Sequence, residues 1–331
     1  MSLKIAVVGS TGLVGRKMLQ VLEERGFNAS QIIPAASERS KGKMLPFAGT
    51  EIECVTVQEA LDSKPSIAIF SAGSGASKEW APKFAEAGVF VIDNSSAWRM
   101  DPLVPLVVPE VNAKAITPET KIIANPNCST IQLMVAMYPL HEALGLKRMI
   151  ISTYQAVTGT GVAGVEQLNS ERFGSDGEKV YPHSIDLNVL PHGGDFDDDG
   201  YTTEEIKLVK ESRKILSHPD LKVTATVVRV PVFGGHSESV NAEFESDFSV
   251  KEVKDILDIM PGITVQDDPK NNHYPMPVIA EDKDDVFVGR IRKDQSAEKS
   301  LNLWIVSDNL RKGAATNAVQ IAEYLIAKGL V

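Results

Sequence analysis

An apolar run, Lys4–Val8, ends in Gly9-Ser10-Thr11-Gly12-Leu13-Val14-Gly15 and passes straight into a segment with helical apolar spacing at Met18, Leu19 and Leu22. A strand that turns through glycines into a helix opens a βαβ unit, where glycine allows a tight turn and a close approach to a pyrophosphate. The anion then meets the unpaired N–H groups of the helix start. The spacing is G-x-x-G-x-x-G rather than G-x-G-x-x-G, so the position between strand and helix carries the reading. The plain alternative is a strand-to-helix turn with no ligand.

The alternation continues. Ile32–Ala35, Ile67–Ser71, Val89–Asp93 and Lys121–Ala124 read as short apolar strands, with helices at Gly15–Arg25 and Lys78–Ala87. That order predicts a doubly wound parallel sheet. From Arg148 the texture changes to longer β-rich runs, Met149–Val157, Val223–Val232 and Ser239–Phe248, separated by helices at Val165–Phe173, Thr203–Leu216 and Val250–Asp258. These predict an antiparallel or mixed sheet with helices on one face. A chain of 331 residues is also too long for one ordinary core. The expected fold is therefore α/β: a Rossmann-like doubly wound N-terminal domain, then an α+β domain. The expected boundaries are 1–127 with 312–331 for the first and 128–311 for the second. Ala314–Lys328 is amphipathic, carrying Val319, Ile321, Leu325 and Ile326, and suits a terminal helix that returns to the first domain.

Charge narrows the partners. Lys and Arg number 34 against 44 Asp and Glu, a formal charge of −10. That balance argues against nucleic acid or an anionic membrane, and an anionic substrate would need a few local cations. Two cysteines, Cys54 and Cys128, cannot build a disulfide framework. The start lacks a signal-peptide layout, and no apolar run approaches the roughly 20 residues of a spanning helix. The expectation is a cytoplasmic protein. The acidic run Asp195–Asp199 reads as a solvated turn, because no ordered set of further oxygen ligands follows it, and no metal is expected.

At the cofactor end, a NAD site expects an acidic residue at the end of the second strand, bonded to the ribose 2′-hydroxyl. Here that strand ends in Ser37-Glu38-Arg39-Ser40. Arg39 with the hydroxyls of Ser37 and Ser40 suits a 2′-phosphate and favours NADP, while Glu38 turned inward would favour NAD. A second match, Gly159-Thr160-Gly161-Val162-Ala163-Gly164, satisfies G-x-G-x-x-G but lacks the βαβ context, and reads as a flexible loop beside a reacting centre.

Asn125-Pro126-Asn127-Cys128-Ser129-Thr130 precedes a helical segment. Pro126 breaks the strand, Asn127 suits a helix cap, and Cys128 falls in the first turn. A helix start favours thiolate over thiol and offers N–H groups to an oxyanion. The competing reading, a buried structural cysteine, fits Cys54 within Glu51-Ile52-Glu53-Cys54-Val55 far better.

Further stretches share one pattern with these: Asn94-Ser95-Ser96-Ala97-Trp98-Arg99-Met100, Val108-Pro109-Glu110-Val111-Asn112, Ser152–Val157, Glu204–Lys207, Val228-Arg229-Val230-Pro231, His236-Ser237-Glu238-Ser239, Val288–Lys293 and Ser307–Ala315. With Gly9–Gly15 and Asn125–Thr130, the chain resembles the aspartate-β-semialdehyde dehydrogenase family over nearly its whole length.

That resemblance implies roles. Cys128 would form an acyl-enzyme, His236 would be the general acid/base, and Gln155 would orient the acyl group. Read alone, His236 would more often be a surface histidine, as His218 and His273 are expected to be. Arg229 would bind the substrate α-carboxylate and Glu204 its amino group. Without the resemblance, Arg229 is a guanidinium among apolar neighbours that needs a carboxylate, and Glu204 with Lys207 a solvated helix face behind a Thr202–Glu205 capping box. Arg99, Lys207, Asn127 and Ser96 would hold phosphate. Gly9, Ser10, Thr11, Gly12, Leu13, Val14, Ser37, Arg39, Ser40, Ala72 and Gly73 would contact NADP, and Thr158, Gly159 and Asn309 would border its nicotinamide. The family usually has Ser where this chain has Thr158, so an extra methyl meets the cofactor there.

The implied activity is NADPH-dependent reductive dephosphorylation of L-4-aspartyl phosphate to L-aspartate-4-semialdehyde through a cysteine thioester, by a homodimer. It would serve lysine, threonine, methionine and diaminopimelate synthesis. Two other readings stay open: an N-acetyl-γ-glutamyl-phosphate reductase, whose substrate has no free amino group for Glu204, and a non-catalytic dinucleotide-binding relative.

Overall fold

The computed structural model describes residues 3–175 and 177–331. The chain divides into two units, one running to Asn127 and resuming at Ala314, the other comprising Cys128–Gly313.

In the first unit, strands β1 (Ile5–Val8), β2 (Ile32–Ala36), β3 (Met44–Phe47), β4 (Thr50–Glu53), β5 (Val55–Thr56), β6 (Ile67–Phe70), β7 (Phe90–Asp93) and β8 (Ile122–Ala124) follow one another. Helices α1 (Leu13–Glu24), α2 (Val57–Asp62), α3 (Gly73–Glu86) and α4 (Pro109–Asn112) lie between them. Six strands form one parallel sheet in the order β5-β2-β1-β6-β7-β8, and β3 with β4 makes a separate hairpin. The order reverses at β1, which pairs Ile5 with Ile32 on one side and Ile67 on the other. Ligands of open α/β sheets bind outside the carboxyl ends of the strands at such a reversal.

β1 and β6 are buried along their whole length, as a parallel strand covered on both faces must be. Ile5 and Val7 face Met18 and Leu22 of α1 together with Val319, Ile321 and Leu325 of the C-terminal helix, Thr316–Ala327. The terminal helix thus completes the core of the first unit. Ala6, Val8, Ala68 and Phe70 face the opposite layer, where Phe84 of α3 meets Phe70 edge to face at 5.4 Å between ring centroids. The C-terminal helix, expected from Ala314, starts two residues later at Thr316, because the π turn Arg311–Ala315 precedes it.

The second unit holds α5 (Cys128–Leu144), β9 (Leu146–Gln155), α6 (Val162–Phe173), α7 (Thr203–Ile215), β10 (Lys222–Arg229), β11 (His236–Phe244), α8 (Val250–Asp258), β12 (Ile263–Val265), α9 (Pro277–Ala280), β13 (Val286–Lys293) and β14 (Ser300–Ser307). Its sheet runs β10-β9-β11-β14-β13-β12 and is mixed: the two outer pairs are parallel and the inner three antiparallel. Alternation sends Met149, Ile151, Thr153 and Gln155 of β9 to the buried face. Helix α5, buried almost all round, packs on that face. The predicted strand Ser239–Phe248 begins three residues earlier, at His236, because β11 stays paired to β14 up to His236↔Ser307.

Candidate active site

The glycine loop leaves β1 at the reversal point. Gly9 has φ +88°, and a Cβ there would sit 2.4 Å from the Ser71 carbonyl oxygen; one on Gly15 would sit 2.1 Å from that of Gly9. Both positions exclude any side chain. Gly12 precedes α1 without a side-chain cap, so the first N–H groups of the helix, Leu13 to Gly15, point outward with no intrahelical acceptor. This cradle fits a pyrophosphate. Ser10 departs from the expected role: its N–H and its hydroxyl both donate to the Ala35 carbonyl, at 3.1 and 3.2 Å. Its side chain is fully buried, so this residue shapes the loop from within. Cys54 lies 3.7 Å from the Ser10 hydroxyl, also fully buried, and burial pushes its thiol up, as suits a structural cysteine. At the end of β2, Ser37 and Arg39 are exposed while Ser40 is buried. Ala72 and Gly73 follow β6 and are exposed.

Arg99 is buried, its Nε donating to the Asn125 carbonyl at 2.9 Å and an Nη to the Asn94 carbonyl at 2.8 Å. Ser96 is exposed, its hydroxyl 3.2 Å from that of Ser74. Asn127 is buried.

In the second unit the sheet register lines up a polar row. Arg229 pairs with Gln155 across β10 and β9, and His236 pairs with Ser307 across β11 and β14. The Gln155 amide donates to the Ser129 hydroxyl at 2.9 Å, which ties β9 to the first turn of α5 beside Cys128. The Ala156 peptide bridges two of the expected residues: its N–H donates to His236 Nδ1 at 3.1 Å, and its carbonyl accepts from an Arg229 Nη at 2.7 Å. A neutral imidazole that accepts at Nδ1 carries its proton on Nε2. Burial, with Arg229 beside it, holds this ring well below the ordinary histidine value, so it is neutral at pH 7. Arg229 itself is buried, its Nε has no partner, and no carboxylate pairs with it among the described residues. The salt-bridge alternative is thereby removed.

The second glycine match is not a loose loop but a 3-10 turn, Val157–Thr160, leading into α6. A Cβ on Gly159 would lie 2.7 Å from an Arg229 Nη and 3.1 Å from His236. Thr158 donates its hydroxyl to the Phe233 carbonyl at 2.6 Å and accepts from the Asn309 amide at 3.0 Å. Its hydroxyl therefore has a structural task. On α7 the capping box is present: the Thr202 N–H donates to the Glu205 carboxylate at 2.7 Å. Glu204 and Lys207 are ion-paired with each other.

Sequence reasoning missed a second polar row beneath the first. Glu238 pairs with Thr153 across β11 and β9, and Gln132 lies one helical turn after Cys128. All three are buried, and both Glu238 oxygens, the Thr153 hydroxyl and the Gln132 amide nitrogen lack hydrogen-bond partners. A signal existed, since Glu238 shares its strand face with Val240, Ala242 and Phe244. Burial pushes the Glu238 carboxyl well above its ordinary value, and the nearby Gln132 amide offsets only part of that, so the fold favours the neutral acid over the carboxylate. In the unfolded chain it ionises at about pH 4.3. Above that pH the unfolded state has released a proton that the folded state retains, so stability falls as pH rises towards the folded pKa. Glu238→Gln removes this cost. The expected result is a melting temperature above wild type at pH 8, with the gain vanishing by pH 4; a difference independent of pH would show that the carboxyl titrates in the fold as it does in the unfolded chain.

A glycine cradle at the reversal point of a doubly wound sheet, with a separate mixed-sheet unit that carries the polar row, defines an NAD(P)-binding oxidoreductase of two functional halves. The family model "semialdehyde dehydrogenase, NAD binding domain" matches residues 4–118, and "semialdehyde dehydrogenase, dimerisation domain" matches residues 137–312. The aspartate-semialdehyde dehydrogenase of Aquifex aeolicus is 53% identical, covering 100% of both chains. A crystal structure of aspartate semialdehyde dehydrogenase II from Vibrio cholerae complexed with ASA superposes with a TM-score of 0.94, at 45% identity over 99% of each chain. That of the enzyme with NADP from Candida albicans gives 0.79, at 26% identity over 100% of each chain. The chain belongs to the aspartate-semialdehyde dehydrogenase family.

Proposed function

We propose that the chain converts L-4-aspartyl phosphate and NADPH to L-aspartate-4-semialdehyde, NADP and phosphate, with Cys128 as nucleophile. The observation that carries the reading is the Arg229–Ala156–His236 arrangement beside Gln155: a buried guanidinium without a carboxylate next to a neutral imidazole with its proton on Nε2. A buried cation of this kind asks for an anionic ligand.

In the oxidative direction the Cys128 thiolate adds to the aldehyde carbon, giving a thiohemiacetal whose oxygen accepts from His236 Nε2–H. When bound, a nicotinamide cofactor supplies the hydride acceptor that turns this adduct into a thioester. Phosphate, held by Arg99, Lys207, Asn127 and Ser96, attacks the acyl carbon, and the Cys128 thiolate leaves. Arg229 holds the α-carboxylate and Glu204 the ammonium throughout, while Gln155, fixed by Ser129, orients the acyl oxygen. A covalent intermediate splits one difficult transfer into two easier ones. The dimerisation-domain match supports a homodimer through the second unit.

NADP is the preferred cofactor in this reading, through the exposed Arg39 with Ser37 and Ser40. Arg39→Ala is expected to raise the Michaelis constant for NADP by about 10- to 100-fold, the worth of a charge-assisted hydrogen bond to phosphate, and to leave that for NAD nearly unchanged. Equal shifts for both cofactors would refute the assignment. The function itself is tested by NADPH formation from L-aspartate-4-semialdehyde with and without inorganic phosphate at matched salt. Phosphate-dependent NADPH supports substrate, cofactor and acyl-phosphate chemistry together; no signal from folded, cofactor-binding protein overturns them.

A further inference from the structure

Three asparagines in the first unit, two buried and one half-buried, form a hydrogen-bonded chain that none of the expected roles uses. Asn317, in the first turn of the C-terminal helix, donates its amide to the Asn125 side-chain oxygen at 2.6 Å and to the Val107 carbonyl at 3.0 Å. Asn125 in turn donates to the Asn94 side-chain oxygen at 2.7 Å and to the Ala314 carbonyl at 3.2 Å. Asn94 donates to the Phe70 carbonyl at 3.0 Å, at the end of β6. The donors therefore run in one direction, from the terminal helix across the ends of the parallel strands. Asn125 and Asn317 are almost wholly buried.

The chain ends on backbone that Arg99 uses. Its Nε donates to the Asn125 carbonyl and an Nη to the Asn94 carbonyl, at 2.9 and 2.8 Å. The Asn125 N–H donates to the Asp93 carbonyl at 2.8 Å, so the backbone and side chain of this residue are engaged at every polar atom. A planar guanidinium held at two of its donors has its plane fixed. The two carbonyls that fix it belong to residues whose side chains are bonded to each other.

We propose that Asn94, Asn125 and Asn317 are positioning residues for the anion-binding guanidinium of Arg99. This rests on the reading above that Arg99 meets phosphate. The hydrogen bond from the Asn125 amide to the Asn94 side-chain oxygen sets the spacing of the two carbonyls, and Asn317 holds the Asn125 amide so that its nitrogen points at Asn94. Loss of any member lets the peptides at residues 94 and 125 relax, and the guanidinium tilts. An oriented site recognises a tetrahedral oxyanion by two-pronged geometry, which a tilted one does not. This network also gives the terminal helix a task beyond packing, because its first turn supplies the first donor in the chain.

The test uses steady-state kinetics in the phosphate-consuming direction on the intact enzyme, with the melting temperature recorded for each variant. Asn94→Ala and Asn317→Ala lie at opposite ends of the network, and Asn94 is only half-buried, so it is the variant that keeps its fold. Each is expected to raise the Michaelis constant for inorganic phosphate about tenfold, while those for aldehyde and NADP stay within about twofold. The double variant should cost less than the product of the two singles, as members of one network do. Folded Asn94→Ala with an unchanged phosphate constant overturns the proposal, as does an equal rise in all three constants. Arg99→Lys separates the two levels of inference. A phosphate constant unmoved by Arg99→Lys sinks the Arg99 reading, whereas one raised by Arg99→Lys and not by Asn94→Ala sinks only the positioning network.

Discussion

Cys128→Ser loses turnover by about 10³-fold or more while NADP binding and melting temperature stay close to wild type. The magnitude follows other enzymes stripped of a nucleophile that works with a partner base. Cys128 is the first residue of α5, where a helix N-terminus favours a thiolate. A serine hydroxyl in the same place is far too weak an acid to be ionised by that field, so the substitution keeps shape and removes the nucleophile. Cys54 gives the internal control, because it is fully buried and its thiol is pushed up. Alkylation at neutral pH should therefore label Cys128 well before Cys54. Turnover retained by the Ser variant would end the thioester reading.

Arg229→Met is expected to lose activity and gain stability. The guanidinium is 6% exposed, its Nε has no partner, and no carboxylate faces it among the described residues. Removing one partner of a buried charged pair costs about 2–5 kcal/mol, so kcat/KM should fall by about 30- to 4,000-fold if a substrate carboxylate binds there. The free enzyme, by contrast, carries a buried unpaired cation whose cost of about 1–3 kcal/mol Met does not share. The Ala156 carbonyl loses its donor, which offsets part of that gain. A net rise in melting temperature of about 2–4 °C per kcal/mol is expected. The neighbouring imidazole reports independently. Arg229 is one of two influences that hold His236 low, so without it the acid limb of the activity profile moves to higher pH. Unchanged kcat/KM would remove Arg229 from substrate binding, and a lowered melting temperature would mean that its cation is compensated in the fold.

Much of the first unit was legible from local pattern. A parallel strand covered on both faces is a continuous apolar run, and a glycine that must approach backbone cannot be anything else. Hence β1, β2, β6, β7 and β8 fall within about one residue of their expected bounds, and Gly9–Gly15 opens α1 as expected. Cys128 at a helix start was equally readable, because Pro126 and Asn127 announce the boundary. Glu238 was harder. Its place on an apolar strand face was visible, but its meaning depended on Thr153 and Gln132, which come from other elements.

The sequence by itself therefore determined the order of elements, the glycine cradle and the residue types that could do the chemistry. Only the tertiary structure decided which of them share a row. Strand register put Arg229 beside Gln155, the Ala156 peptide chose the His236 tautomer, and Ser10 was turned inward by the Ala35 carbonyl. It also joined Asn94, Asn125 and Asn317 from three distant stretches of chain. The physical reason is that periodicity reports the face on which a residue lies, a local property of the backbone. A hydrogen bond between residues far apart depends on register and on where the intervening chain returns, which no local pattern encodes.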